Sequence, residues 1–436
     1  MKSAAAVFLG GAASRLLPAS VPFRFFGAAV VYHALAWLTL LAAAPEWPRF
    51  AGGLGRPLAA LHLVTLGVLA MAAIGASLQL LPVATRQPVA SERAPALIWW
   101  LFAPAVAVLA IGMAFAVPAL LAVGAIAIVV ALLLFAVLLA ANLRAARGMP
   151  GVVAHGWAAL VSLLVALATA LALVGNYVGL PSLARTTALA LHVAFAGYGF
   201  MGLLAAGVSA ILVPMFTLAS LPDTRVQLVS CAFAVAGLGL AGAAAAGVAP
   251  TPTRVAALAC GAIAVALHLM LMRRAIRDGM QRELGRSFML VRVAWASLVA
   301  SVAAALGVVL DVALPALTTV FGLLLIGGWL LTLVLAMLQR ILPFLASMHG
   351  ARAGRRAPVP SSFTATTPLA IHFACHLAAL AGLVVAAVGE SAAIATIAAA
   401  TGTLGAAAFA VYYVVLVRRM AAPRSVRPRA AIAASR

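Results

Sequence analysis

Histidine is the residue type in this chain that is best suited to chemistry inside a membrane. Seven of the eight histidines fall in strongly apolar segments or at their ends, and none of the seven acidic residues falls inside one. A neutral imidazole is the least costly ionisable side chain to bury, and it ligates haem iron and copper. Histidines without carboxylates therefore favour ligation of a bound metal over ion-coupled transport, which usually needs a buried acid.

His62 and His192 are the strongest candidate ligands. The first lies 20 residues before Pro82 and the second 22 residues before Pro214, at similar depths near the starts of two apolar segments. An offset of two residues turns an α-helix by about 200°. We therefore predict that the two imidazoles face opposite sides of equivalent helices, in two separate compartments. The alternative is that each histidine forms a hydrogen bond to a neighbouring helix.

Three further histidines are candidates for the same chemistry. His372 and His376 are four residues apart and therefore share one face of a helix, where they could grip a metal ion or flank a bound group. His33 is a candidate metal ligand, with packing as the alternative. We interpret His155 and His268, near the cytoplasmic ends of their segments, as partners in helix–helix hydrogen bonds.

The chain that positions these histidines is strongly apolar. It is 66% hydrophobic and 8% charged, with a mean hydropathy of +1.20. Runs of about 20 apolar residues recur, each long enough to cross the bilayer as a helix, and the alternating pattern of barrel strands is absent. We predict an all-α integral membrane protein with twelve transmembrane helices. The predicted spans are 22–44, 57–81, 96–117, 119–142, 155–178, 185–211, 226–249, 254–273, 288–311, 317–342, 367–389 and 391–417.

No polar linker divides the chain, so we predict a single polytopic membrane domain over residues 1–436. Residues 1–21 are expected to form an interfacial N-terminal segment, and residues 421–436 a basic cytoplasmic tail. We predict that residues 96–142 form two spans, divided at Pro118.

Three segments of the chain repeat one pattern at intervals of about 130 residues. They end at Pro82, Pro214 and Pro343, and a glycine lies 15 residues before each proline. A fixed period of this kind indicates a repeated architecture, and four spans fit inside each period. We therefore predict three pseudo-symmetric groups of four helices, in which spans two, six and ten superpose under a rotation near 120°.

The distribution of charge predicts the orientation in the membrane. With the N-terminus inside, all but four of the 28 Lys and Arg residues fall on cytoplasmic segments; the exceptions are Arg49, Arg56, Arg185 and Arg254. This bias predicts that both termini are cytoplasmic, in the inner (plasma) membrane of a bacterium. The net charge of +21 is then a consequence of topology and of contact with the lipid bilayer. We expect no nucleic-acid partner, because no soluble domain remains to present one.

The pattern resembles the central subunit of haem–copper oxidases, which has twelve spans in three groups of four. The resemblance rests on LHLVTLG around His62, LHVAFAG around His192, and the endings LPV, VPM and LPF. The chain also resembles the haem- and copper-containing NnrS-type membrane proteins. The oxidase resemblance implies that His62 ligates a low-spin haem and that His192 is a copper ligand.

The chain departs from the oxidase pattern at several positions. The family places adjacent copper-binding histidines in span seven and a His-x-His pair in span ten, but residues 226–249 and 317–342 contain no histidine. One turn beyond His192 the chain has Ala196 where the family has tyrosine. The usual oxygen-reducing centre therefore cannot form. His372 and His376 are candidate replacement haem ligands, and His33 is a candidate metal ligand in addition to His192.

These observations predict a haem-binding membrane protein related to oxidase subunit I, with copper as a second candidate cofactor. Its expected context is respiratory electron transfer, nitric-oxide handling or oxidase assembly, with a cytochrome or an oxidase subunit as partner. Whether it is an enzyme is left open by the missing ligands. The alternatives are a twelve-span secondary transporter, for which two halves of six spans are typical, and a structural subunit without a cofactor.

Overall fold

The computed structural model describes residues 16–87, 91, 93–314, 316–351 and 358–422, and it contains twelve long apolar helices in those ranges. The chain is a multi-pass membrane protein. The helices are α1 (Ser20–Ala42), α2 (Arg56–Ala84), α3 (Arg93–Ala114), α4 (Pro118–Ala145), α5 (Pro150–Val178), α6 (Arg185–Thr217), α7 (Thr224–Ala245), α8 (Pro250–Asp278), α9 (Gly285–Val309), α10 (Leu317–Gly350), α11 (Thr366–Val388) and α12 (Ala392–Ala421). The all-α, twelve-helix prediction is confirmed.

Each predicted span corresponds to one helix, and Pro118 begins α4 as its first residue. Proline is favoured at this position because its missing N–H has no partner there in any helix. Short 3₁₀ turns at Trp47–Arg49 and Pro360–Phe363 lie in two of the connections. The predicted interfacial segment 1–21 and basic tail 421–436 lie largely outside the described residues, and α1 begins within the former.

The three repeat prolines lie inside their helices, and not just beyond them as predicted. Pro82, Pro214 and Pro343 are followed by further helical residues in α2, α6 and α10. A proline within a membrane helix removes only one backbone hydrogen bond, and neighbouring helices can satisfy the freed carbonyl. The predicted span ended at residue 342, whereas α10 continues past Pro343 and includes His349.

The helices form a closed cycle of three groups, α1–α4, α5–α8 and α9–α12. The last helix of each group packs against the first helix of the next: α4 against α5, α8 against α9, and α12 against α1. The second helix of each group lies at the centre. The most apolar windows of α2, α6 and α10 are 61%, 78% and 61% buried, whereas none of the other described spans exceeds 50%. The predicted three groups of four are therefore present.

The repeated glycines make the same contact in each group. A Cβ atom on Gly67 would lie 2.6 Å from Cβ of Tyr32 in α1. On Gly199 it would lie 2.7 Å from Cβ of Ser162 in α5, and on Gly328 it would lie 2.8 Å from Cβ of Ser297 in α9. Glycine is required at these three positions because the first and second helices of each group cross there.

A π-helical segment interrupts each central helix at the same register. These segments are Leu63–Ala70, Ala194–Gly202 and Leu323–Leu331, and each ends 12 residues before its repeat proline. A π-helix closes i→i+5 hydrogen bonds and is frequent at functional sites. The three segments contain the repeat glycines. The π-helical part of each central helix therefore coincides with its crossing of the first helix of the same group.

The loops that join the groups also repeat. Thr85 and Thr217 each lie three residues after a repeat proline. The carbonyl of Thr85 accepts a hydrogen bond from the backbone N–H of Arg147, at 3.2 Å, and that of Thr217 accepts from the N–H of Gln281, at 3.0 Å. The connections after α4 and α8 are therefore fixed to the ends of α2 and α6 in the same way.

Candidate functional site

The structure separates the candidate histidines into two groups. His62 and His192 form one, which we call the α2–α6 pair. His33, His372 and His376 form the other, which we call the α1–α11 cluster. His62 and His192 lie on the central helices α2 and α6. The ring of His372 contacts those of His33 and His376, at centroid distances of 5.9 Å and 5.3 Å. Within the part of the chain that the structure describes, no hydrogen bond or ring contact joins His62 to the two histidines of α11, or His192 to His33.

The α2–α6 pair sits where the two central helices change to π-helical geometry. His62 immediately precedes the segment that begins at Leu63, and His192 lies two residues before the segment that begins at Ala194. Both side chains are partly buried. That the two imidazoles occupy separate compartments stays a prediction.

Hydrogen bonds fix which ring nitrogen of each imidazole carries the proton. Nδ1 of His62 lies 3.0 Å from the carbonyl oxygen of Leu58, and Nδ1 of His192 lies 3.1 Å from that of Ala166 in α5. A carbonyl can only accept, so Nδ1 donates and the neutral ring keeps a lone pair on Nε2. Metal-ligating histidines typically have this arrangement. The α2–α6 pair therefore offers two nitrogen ligands suited to haem iron.

The α1–α11 cluster is completely enclosed. The side chains of His33, His372 and His376 are 1%, 0% and 2% exposed. The ring centroids of His33 and His372 are 5.9 Å apart, and those of His372 and His376 are 5.3 Å apart. The ring centroid of Phe409, in α12, lies 4.9 Å from that of His372. The prediction that His372 and His376 share one face of α11 is confirmed. The contact of His33 with His372 was not predicted.

Two residues position His33 and His372. The indole Nε1–H of Trp37 donates to Nε2 of His33 at 3.1 Å, and Nδ1 of His372 lies 3.1 Å from the carbonyl oxygen of Gly405. Trp37 follows His33 by one helical turn, so this pair could have been found from the i, i+4 spacing. The contact of His372 with Gly405 joins α11 to α12 and had no signal in the sequence.

His376 is held by the central helix of the third group. Its Nε2 lies 2.8 Å from the hydroxyl oxygen of Thr332, which donates its own proton to the carbonyl oxygen of Gly327 at 2.8 Å. A hydroxyl has one proton, so Nε2 of His376 is the donor in the first bond. Gly327 belongs to the π-helical segment of α10, and Thr332 directly follows it. The sequence did not indicate Thr332.

The donor sets do not fit a copper ion. Within residues 16–87, 91, 93–314, 316–351 and 358–422, no three His, Cys, Asp or Glu side chains converge so as to hold a metal ion. The predicted copper ligands His33 and His192 belong to different groups. We therefore derive no chemistry from copper.

Comparison with known proteins supports one conclusion about the fold. No family model matches the sequence, and no curated protein matches it. A haem–copper terminal oxidase dimer determined by cryo-EM superposes with a TM-score of 0.63 at 12% identity, over 94% of this chain and 85% of that one. The chain has the haem–copper terminal oxidase fold. The resemblance inferred from the sequence around His62 and His192 is thereby confirmed at the level of the fold.

Proposed function

We propose that the chain is a divergent relative of oxidase subunit I that binds one haem between α2 and α6. The observation that carries this proposal is the α2–α6 pair, two neutral imidazoles whose Nε2 atoms are both free to ligate. The fold adds support, because it is that of a haem–copper terminal oxidase. Bound haem would supply reversible one-electron transfer.

The residues of the chain would each contribute a defined part. His62 and His192 would hold the haem through their Nε2 atoms. The carbonyl groups of Leu58 and Ala166 would hold Nδ1–H of these two rings, which fixes their orientation and increases the basicity of Nε2. Partial burial would keep the imidazoles neutral and limit access of water to the metal.

A role in oxygen reduction is not supported by the ligand set. Residues 226–249 and 317–342 lack the histidines that the oxidase pattern requires, and the copper donors do not converge. We therefore place the protein in respiratory electron transfer, nitric-oxide handling or oxidase assembly, with a cytochrome or an oxidase subunit as its partner. The NnrS-type resemblance fits the second of these roles.

The transporter alternative is less well supported. Carriers with twelve spans commonly consist of two halves of six, whereas this chain consists of three groups of four. In addition, no acidic residue falls in the interior of a predicted span. A cofactor-free structural role is the second alternative, and the first experiment tests it.

We expect full-length protein, made with ample haem and purified from membranes, to show a Soret band. Its reduced-minus-oxidised spectrum should have the sharp bands of a six-coordinate low-spin haem, because two imidazoles would ligate the iron. The measurement is visible absorption spectroscopy together with a pyridine haemochrome assay for stoichiometry. Protein that contains no haem under these conditions would contradict the proposal and support the structural or transport role.

We also propose that both termini are cytoplasmic, in the inner membrane of a bacterium. The support is the charge distribution together with the even number of described helices, which returns the chain to its starting side. Reporter fusions at Arg436 and near Glu390 should report opposite sides of the membrane, because one helix separates these positions. Reporters on the same side would show that the map is wrong.

A further inference from the structure

The α1–α11 cluster contains two buried nitrogen atoms that have no hydrogen-bond partner in the protein. They are Nδ1 of His33 and Nε2 of His372, on rings whose centroids are 5.9 Å apart. Buried polar atoms are almost always paired, because an unpaired one does not recover the free energy of its lost hydration. Two unpaired atoms on adjacent rings therefore point to a ligand at this place.

The two nitrogens have opposite hydrogen-bonding roles. The indole of Trp37 can only donate, so Nε2 of His33 is unprotonated and the neutral ring carries its proton on Nδ1. The carbonyl of Gly405 can only accept, so Nδ1 of His372 is protonated and Nε2 has a lone pair. The cluster thus presents one free donor, on α1, and one free acceptor, on α11.

We propose that His33 and His372 together bind one small neutral molecule that both donates and accepts a hydrogen bond, and that water is this ligand. His376 and Phe409 enclose the site without adding a charge, with ring centroids 5.3 Å and 4.9 Å from that of His372. The site is therefore matched to a neutral molecule. Buried waters in proteins are held in this way, by polar groups that would otherwise be unpaired.

A metal ion fits this site less well. Ligation by both rings would require a lone pair on Nδ1 of His33, whereas the hydrogen bond from Trp37 places a proton there. A path for protons fits poorly as well, because the hydrogen bonds end at Trp37, which only donates, and at the Gly405 carbonyl, which only accepts. The bound molecule would instead join α1 to α11, and hence the first group of helices to the third.

Two measurements on the full-length protein test the assignment. In a cryo-EM map at a resolution that shows waters, we expect one isolated density within hydrogen-bond distance of both nitrogens. Elemental analysis should find no copper or zinc that depends on His372. A direct bond between the two imidazoles with no density between them would overturn the proposal. So would a stoichiometric metal that is lost in His372→Phe.

Variants add a test that does not depend on resolution. His33→Phe and His372→Phe should each lower Tm. Each removes one of the two hydrogen bonds to the bound molecule and leaves the remaining histidine incompletely paired. The double variant removes both polar groups, and its fall in Tm should be smaller than the sum of the two single falls. Additive losses would mean that the rings act as independent packing residues and would overturn the shared site. The result does not depend on whether haem binds at the α2–α6 pair, which absorption spectra of the same samples report separately.

Discussion

His62→Ala is expected to abolish the low-spin haem spectrum while the chain remains in the membrane. Under the proposed function, the variant removes one of the two imidazoles that would hold the haem. The remaining imidazole, that of His192, would bind the haem more weakly and could not alone give the low-spin spectrum. His192→Ala should have the same effect. Absorption and electron paramagnetic resonance spectra of purified variants, made with ample haem, give the measurement.

His155→Ala is the matched control for these variants. His155 also bonds through Nδ1, at 2.8 Å from the carbonyl oxygen of Gly151 one turn earlier, but it lies in α5 outside both histidine groups. Its removal should leave the haem spectrum unchanged. A further test uses His62→Gly, to which added imidazole should restore the low-spin spectrum. If His62→Ala keeps the full wild-type spectrum, then His62 is a packing residue and the haem ligands lie elsewhere.

Most of the fold could be predicted, because an apolar segment inside a membrane can adopt few backbone structures. Each apolar run of sufficient length forms one helix, since only a helix satisfies its own backbone inside lipid. The repeat prolines and Gly67, Gly199 and Gly328 also predicted the three groups. Glycine is needed at these positions because two helix backbones come close, so the same residue type recurs in all three groups. The contacting residue differs: it is Tyr32 in one group and a serine in the other two.

The predicted facing of His62 and His192 rests on a rule for regular α-helices. That rule assumes about 100° of rotation per residue, which holds for an α-helix. A π-helical segment lies between each histidine and its proline, and its wider turn changes the rotation. Nothing in the residue types of these segments marks them as π-helical. The three π-helical segments therefore could not be predicted, and the relative direction of the two histidines stays a prediction.

The α1–α11 cluster shows a second limit. His372 and His376 could be paired from their spacing, but His33 lies more than 300 residues earlier. Its contact with α11 depends on the closure of the cycle between α12 and α1. Closure of this kind is a property of the whole bundle. No local pattern indicates it, and the tautomers of these rings follow only from partners such as Gly405.

Gly67→Val is expected to destabilise the protein severely, and the corresponding changes at Gly199 and Gly328 should do the same. In each case a new Cβ would lie 2.6–2.8 Å from another Cβ atom, which cannot move away by rotation of a side chain. Helix pairs would have to separate, and overpacking of this kind costs about 1–3 kcal/mol or more per site. The amount of monodisperse protein and its Tm, measured on a fluorescent fusion, should both fall.

Gly239→Val supplies the control, because a Cβ at this position in α7 would meet no atom within 4 Å. It adds the same side chain to a membrane helix without a contact, so its effect should stay within about 0.5 kcal/mol. Similar losses at Gly67, Gly199 and Gly328, with none at Gly239, would show that one helix crossing, used three times, holds the bundle together. If Gly67→Val were as stable as Gly239→Val, the crossing of α1 and α2 would not be a close one. The shared role of the repeat glycines would then be wrong.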